Sequence, residues 1–455
     1  MLKFYISLWV SKFYLFINKM LGKSRSDRAG LLAAKICKNF LKYVKKPKLV
    51  IAVTGTNGKT TVSNLITSIL KYDNKKVAFN DWGANFVSGH IRCFLDAVNI
   101  FNISTKDAIV LECDELISVE SLPLIKPDYI IVTNICRDSI RRNAYPEYIF
   151  NRLNEAFSKT IDSTIILNAD DPISSFLAPN HKKKFVAIDP YLDDVYENKT
   201  KDFTCCPSCY GSITYLYKHY RHLGKFKCDN CNISSFDGNY IVEKVLENEK
   251  KLILNNQSFP LLSNSIFNIF NEVQVISLFK ELSYSYEFIK EALENISIPK
   301  SREDKEVVNG INIYSRLTKG QNGSASSSVF EILAKDKGKK ELILLLDEIF
   351  GNLDAAETIT WIYDTDYQFL NIPDIEKIII VSKMMHDYKL RLLLSGIDEN
   401  KIVCIDDYKD AYKYVSLEKE KDIYILYDVE QVSISKEVSN LIKNRIEKEK
   451  NNSIK

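Results

Sequence analysis

Seven residues, Gly55-Thr56-Asn57-Gly58-Lys59-Thr60-Thr61, stand between the apolar run Leu49-Val50-Ile51-Ala52-Val53 and a segment in which Val62, Leu65, Ile66 and Leu70 recur at helical spacing. A glycine-rich turn between a strand and a helix brings backbone amides and a helix N-terminus to one point, where they can wrap phosphate oxygens. In such a loop Lys59 reaches the β- and γ-phosphates of a nucleoside triphosphate, and the Thr60 hydroxyl ligates magnesium. The general pattern G-x-x-x-x-G-K-[ST] is not met, because Val53 occupies its first glycine position. Taken alone, the string also fits a glycine-rich turn that holds no nucleotide.

The surrounding pattern favours a doubly wound α/β sheet. Val77-Ala78-Phe79, Ala108-Ile109-Val110-Leu111, Tyr129-Ile130-Ile131-Val132 and Thr164-Ile165-Ile166-Leu167 are continuous apolar runs separated by helix-length segments, as in buried parallel strands. The rhythm breaks between about Tyr191 and Tyr240, resumes as one helical stretch from Ile266 to Leu293, and pauses at the linker Ser297-Ile298-Pro299-Lys300-Ser301. A second α/β rhythm then runs through Ile311–Tyr314, Leu342–Leu346, Ile378–Val381, Ile402–Ile405 and Ile423–Tyr427. A chain of 455 residues exceeds one ordinary core. The expected division is an N-terminal helical segment at 1–47, a central nucleotide-binding domain at 48–297 with an insertion at 203–235, and a smaller C-terminal α/β domain at 298–455.

A formal net charge of +3 is small for this length and gives no electrostatic footprint for nucleic acid. Met1 to Leu21 is rich in aromatic and aliphatic residues, but Lys3, Lys12 and Lys19 interrupt it, which argues against a spanning helix. With no small-residue cleavage site after it, the segment is not expected to be a signal peptide. It reads as a helix packed on its own domain, or as one lying on an anionic membrane surface. Ten cysteines without a secretory signal point to a reducing compartment, and the expected location is the cytoplasm, with the inner face of the membrane as the peripheral alternative.

Four of the cysteines form two C-x-x-C knuckles, Cys206-Pro207-Ser208-Cys209 and Cys228-Asp229-Asn230-Cys231, at a separation suited to a tetrahedral zinc ribbon. Four thiolates close the coordination sphere, so the zinc would be structural and would hold an insertion too small for its own core. Cys205 is an alternative to Cys206 with x3 spacing. His222 reads as a packed ribbon residue.

The string Gly55–Thr61 resembles the phosphate loop of Mur ligases and of their folyl-polyglutamate and cyanophycin relatives. Glu112, closing the strand Ala108–Leu111, resembles the glutamate these enzymes use on magnesium. Asp114 and Glu115 either assist it or form a solvated acidic turn. Asn168-Ala169-Asp170-Asp171-Pro172 is similar to the Mur N-A-D-D-P string. Further strings, in order along most of the chain, resemble the MurT family, the Mur-like subunits of lipid II isoglutaminyl synthase. They are Asn80, Gly83, Ala84 and Asn85; Thr133-Asn134-Ile135 with Arg137-Asp138; Phe267-Asn268-Ile269-Phe270-Asn271; and Arg302-Glu303. The resemblance places Asn268 and Asn271 near the adenine and Arg302 at nucleotide phosphate. The zinc ribbon belongs to the same resemblance, as does Trp361-Ile362-Tyr363-Asp364-Thr365-Asp366-Tyr367. There, Asp364, ahead of Asp366, would complete the Cys-His pair of a GatD-type glutamine amidotransferase partner.

The resemblance implies a ligase using ATP, Mg2+ and Zn2+. It would amidate the D-isoglutamate α-carboxylate of lipid II through an acyl phosphate, with Lys59 and Glu112 at the reacting phosphate and ammonia supplied by the partner. Two departures stand out: Arg141 replaces an acid of the family's R-D-Q-L-D-R-Y-G string, and Lys319-Gly320-Gln321-Asn322-Gly323 keeps only the ends of K-N-P-A-G. They leave open two rivals, a Mur-type amino-acid ligase of the folyl-polyglutamate kind and a nucleotide-binding scaffold without turnover.

Overall fold

A computed structural model describes residues 1–22, 27–80, 84–137, 145–190, 201–296, 303–318, 322–346 and 359–453. The chain divides into two compact units near residue 298, with Arg137 clustering with the second.

The first unit is built on a nine-stranded sheet. Its strands run in the order Gln257–Pro260, Lys251–Leu254, Tyr240–Leu246, Lys183–Ile188, Thr164–Asn168, Tyr129–Val132, Leu49–Thr54, Ala108–Glu112 and Val77–Phe79. The first two pairings are antiparallel and the remainder parallel. Val50 to Val53 are buried because the sheet is covered on both faces, which is why this strand lacks polar alternation. The register pairs Val53 with Glu112 and Thr54 with Val132, so the glycine turn, Glu112 and Thr133 share the carboxyl edge of the sheet. Open α/β sheets bind their ligands at that edge.

The N-terminal helices Leu2–Met20, Arg28–Ile36 and Phe40–Tyr43 contribute Phe4, Leu8, Ala29, Ala33, Phe40 and Leu41 to one core with Val50, Ala52, Ile91 and Phe94. Gly30 permits close approach to the helix Val87–Ala97, since a Cβ there would overlap the Ser88 carbonyl oxygen. Beside it, Ser88 Oγ donates to Asp27 Oδ2 at 2.7 Å. The stretch from Ile266 is two helices, Ile266–Glu281 and Tyr286–Asn295, parted where Ser283 takes φ +67° and Ser285 caps the second by accepting from the Phe288 amide. The insertion forms a hairpin, Ile213–Tyr220 with Leu223–Cys228.

The second unit holds a six-stranded sheet ordered Glu303–Val308, Ile311–Leu317, Lys421–Tyr427, Lys339–Leu345, Ile375–Val381 and Ile402–Ile405, with only the first pair antiparallel. Alternate strand residues feed two cores. Ile313, Ile343, Ile379 and Ile425 join Val438 and Ile442 in one, and Leu342, Leu344, Ile378 and Leu426 join Phe330 and Tyr367 in the other.

The Gly30 contact generates a prediction. Gly30→Val should destabilise the chain by about 2 kcal/mol, the usual cost of overpacking, seen as a lower thermal midpoint. An unchanged midpoint would show that the helices part freely.

Candidate nucleotide site and metal centre

Gly55 and Gly58 take φ +114° and +92°, the left-handed region that favours glycine. A Cβ on Gly55 would lie 2.8 Å from the Asn134 carbonyl oxygen, and one on Gly58 2.5 Å from Asn271 Oδ1. Asn134 holds the turn from behind. Its carbonyl accepts from the Thr56 amide at 2.9 Å, its Oδ1 from the Asn57 amide at 3.2 Å, and its Nδ2 donates to the Asn57 carbonyl at 2.9 Å. The Thr56 hydroxyl adds a reciprocal pair with the Cys136 backbone, at 3.2 and 3.1 Å.

Lys59 opens the helix Lys59–Tyr72, and its Nζ donates to Gly55 O at 2.5 Å and pairs with Glu115 Oε1 at 3.0 Å. Glu115 is buried, so it is no solvated turn residue. Asp114 instead stabilises its own turn, its Oδ1 accepting from the Leu116 amide at 3.0 Å. The Glu112 backbone is fixed at both ends: its amide donates to Asn80 Oδ1, and its carbonyl accepts from Asn80 Nδ2 and His90 Nε2, at 2.9, 2.9 and 3.0 Å. Burial pushes His90 down to about 4, which keeps its ring neutral at physiological pH. Among the described residues, neither the Glu112 carboxylate nor the Thr60 hydroxyl makes a hydrogen bond or ion pair. Oxygen donors of this kind suit a magnesium ion beside a phosphate.

Asn271 is buried against Gly58, and its Nδ2 donates to Asn268 Oδ1 at 3.4 Å. Both asparagines therefore belong to the loop's surroundings. Arg302 lies outside the described residues, as do Gly83, Asp138 and Arg141. His90 was not selected from the sequence, and Glu115 was weighed there only as an assistant to Glu112 or a solvated turn residue, not as the partner of Lys59. A histidine inside a helix and an acid three residues beyond Glu112 carry no distinctive spacing.

The four knuckle sulfurs lie within 4.8 Å of one another, with Cys206 to Cys231 at 3.7 Å and Cys209 to Cys228 at 3.5 Å. Ligands about 2.3 Å from a tetrahedral zinc stand about 3.8 Å apart, so the cluster fits that ion. The Asn230 and Cys231 amides donate to Cys228 Sγ at 3.3 and 3.4 Å. Cys206, not the exposed Cys205, belongs to the cluster.

The ribbon hairpin docks on Asn168–Pro172 through buried charge. His222 Nε2 is 3.3 Å from Asp171 Oδ1 and His222 Nδ1 3.5 Å from Asp202 Oδ2, while Arg221 Nη1 is 3.6 Å from the same Asp202 oxygen. Asp171 Oδ2 also accepts from the Ile135 amide at 2.9 Å, one residue from Asn134. On the other side, Tyr220 packs edge-on to Phe267 at 5.7 Å and His219 to Phe270 at 5.9 Å. The N-A-D-D-P string is thus the ribbon's docking platform as well as a turn.

A family model described as the Mur ligase middle domain matches residues 53–204, and one described as the MurT ligase C-terminal matches residues 320–429. The chain is 28% identical over 413 residues to lipid II isoglutaminyl synthase (glutamine-hydrolyzing) subunit MurT of Staphylococcus aureus strain COL, covering 87% of this chain and 89% of that one. It is 25% identical over 420 residues to the Streptococcus pneumoniae subunit of the same name, covering 90% and 91%. The chain is thus similar along about nine-tenths of its length to MurT subunits, and it carries a Mur ligase middle region and a MurT C-terminal region. Two solved structures share the fold at low identity. They are a pseudomurein peptide ligase type C from Methanothermus fervidus (TM-score 0.66, 20% identity, 92% of this chain and 85% of that one) and MurF from Acinetobacter baumannii (TM-score 0.65, 13% identity, 90% and 80%).

Within the MurT C-terminal region, Asp364 ends the short helix Thr360–Asp364, and both its oxygens lie 3.3 Å from Arg137 Nη1. Asp364 keeps 24% of its side-chain surface, whereas Asp366 is fully buried beneath Ser327, whose Oγ accepts the Asp366 amide at 2.8 Å. Of the two aspartates weighed from the sequence, Asp364 is the accessible one.

The docking pair generates a pH prediction. Burial alone would lower the pKa of His222, but hydrogen bonds and attraction from Asp171 and Asp202 outweigh it and push His222 up to about 9. Its contribution to stability is complete below the unfolded value of about 6.5 and is lost as pH rises through about 9. The thermal midpoint of the wild type should fall by more over this window than that of His222→Gln. Parallel curves would mean that the pair carries no linked proton.

Proposed function

We propose that this chain is the synthetase subunit of a two-chain enzyme that converts the D-isoglutamate α-carboxylate of lipid II to its amide, at the inner face of the cell membrane. One observation carries the reading. The loop holding Lys59, with the Thr60 hydroxyl and the Glu112 carboxylate unengaged among the described residues, sits in a chain similar over about nine-tenths of its length to MurT subunits.

Within the proposed mechanism, the Gly58–Thr61 amides and the Lys59 ammonium bind the ATP phosphates. A carboxylate oxygen of the substrate attacks the γ-phosphorus, the bond to the β,γ-bridging oxygen breaks, and ADP leaves an acyl phosphate behind. Thr60 and Glu112 would hold magnesium, which supplies positive charge against the charge building on the phosphoryl oxygens. Ammonia then attacks the acyl carbon, inorganic phosphate departs, and a proton leaves the nitrogen. Cys206, Cys209, Cys228 and Cys231 would hold a structural zinc. Asn268, Asn271 and Arg302 are proposed on the nucleotide.

Ammonia would come from a GatD-type glutaminase subunit. Asp364 would orient that subunit's histidine, a triad divided between two chains.

Two variants test these roles in a lipid II amidation assay with ATP, glutamine and the glutaminase subunit. Lys59→Ala should lower turnover by about 10² to 10³-fold, and near-normal turnover would remove Lys59 from the chemistry. ATP binding without any turnover by the wild type would mark a scaffold, and incorporation of a free amino acid would mark an amino-acid ligase. Asp364→Asn should lose glutamine-dependent amidation while keeping the reaction driven by added ammonia. Equal loss of both would place Asp364 in the synthetase site instead.

A further inference from the structure

We propose that the solvent-facing side of the helix Leu2–Met20 is a docking surface for a bilayer rich in anionic lipid. The helix is apolar on two faces. Phe4, Leu8 and Ser11 are buried against the first unit. Opposite them, Leu2, Ile6, Trp9, Phe13, Phe16 and Met20 follow one another every three or four residues, each between 41% and 74% exposed. That spacing makes one continuous stripe along the helix.

The stripe continues onto a neighbouring turn. Trp9 Nε1 donates to the Ile100 carbonyl at 2.9 Å, and Ile100, Phe101 and Ile103 are all at least half exposed. Soluble proteins rarely leave so much contiguous apolar surface in water, and such patches mark contacts with protein or membrane.

Charge favours a bilayer. No acidic residue precedes Asp27, while Lys3 and Lys19 are exposed on the same helix. The exposed Lys42 and Lys45 flank the Ile100–Ile103 turn, which Asn102 ties to Tyr43 O and the Lys45 amide at 3.1 and 2.8 Å. A helix with an aromatic apolar face and a basic rim lies in the headgroup region of anionic membranes. A second copy of this chain would bring the same exposed Lys3 and Lys19 to a symmetric contact, like charge against like. No described helix is long and apolar enough to cross the membrane, so the helix lies on the surface. The inference rests on the proposed lipid-linked substrate for placing the protein beside a membrane.

Sedimentation of the full chain with phosphatidylcholine vesicles, with and without phosphatidylglycerol, tests it. The wild type should sediment with the anionic vesicles and much less with the neutral ones. The combined variant Trp9→Glu, Phe13→Glu, Phe16→Glu should partition at least tenfold more weakly while keeping its ATP affinity. Lys3→Glu with Lys19→Glu, which leaves the apolar packing intact, should lose the preference for anionic vesicles. Failure of the wild type to bind, or unchanged binding by both variants, would overturn the inference. So would a triple variant that loses self-association or its glutaminase partner while binding vesicles normally. Vesicle binding needs neither ATP nor lipid II. A chain that binds vesicles but makes no amide therefore refutes only the amidation reading, and one that amidates a soluble short-chain substrate but ignores vesicles refutes only this surface.

Discussion

Asn134 sits directly behind the phosphate loop and takes three of its backbone groups, the Thr56 amide and both polar groups of Asn57. This turns the first half of the loop toward the protein. The amides of the first turn of the helix Lys59–Tyr72 have no intrahelical acceptors, and a helix N-terminus of this kind suits an anion. Both glycines follow from the same crowding, because Thr133 and Asn134 press on Gly55 from one side and Asn271 presses on Gly58 from the other. Backbone this close to its neighbours has one arrangement, which is the preorganisation that phosphoryl transfer needs.

The ribbon depends on that clamp and supports it in turn. A hairpin of this size cannot bury enough apolar surface to stand alone, and its outer end is held by four sulfurs. Its inner end is held by ion pairs with Asp171 and Asp202 and by ring contacts to Phe267 and Phe270. Asp171 reaches the Ile135 amide, and Phe267 and Phe270 flank Asn268. The insertion therefore braces both walls of the nucleotide site. Buried ion pairs add little stability over apolar packing but strongly disfavour mismatched arrangements, so the His222 pair acts mainly to set where the hairpin sits.

The central parallel strands, the glycine loop and the two knuckles were legible in the sequence because each has a local signature, an apolar run or a fixed spacing. Lys183–Ile188 and the three strands from Tyr240 to Pro260 were not, since they lie toward one side of the sheet and mix lysine, glutamate and glutamine with apolar residues. Glu303–Val308 escaped for the same reason, an antiparallel edge strand with charge along its exposed length. In the site, Glu112 and Thr60 follow from their places after a strand and a glycine loop. Glu115 lies 56 residues from Lys59, and His222 is likewise far from Asp171, so only the fold brings these partners together.

The Lys59–Glu115 pair also separates the roles of two acids that stand three residues apart. Glu115 is 1% exposed, and its oxygen is engaged by the lysine at 3.0 Å. Withdrawing the ammonium from a buried carboxylate is strongly unfavourable. Lys59 is therefore best satisfied where it can serve Glu115 and a phosphate oxygen together, and this sets the reach of its side chain. Glu112, with its backbone fixed by Asn80 and His90 and its carboxylate unengaged among the described residues, has no such obligation. Of the two acids, Glu112 is the one with lone pairs to offer a cation, while Glu115 holds the lysine in place.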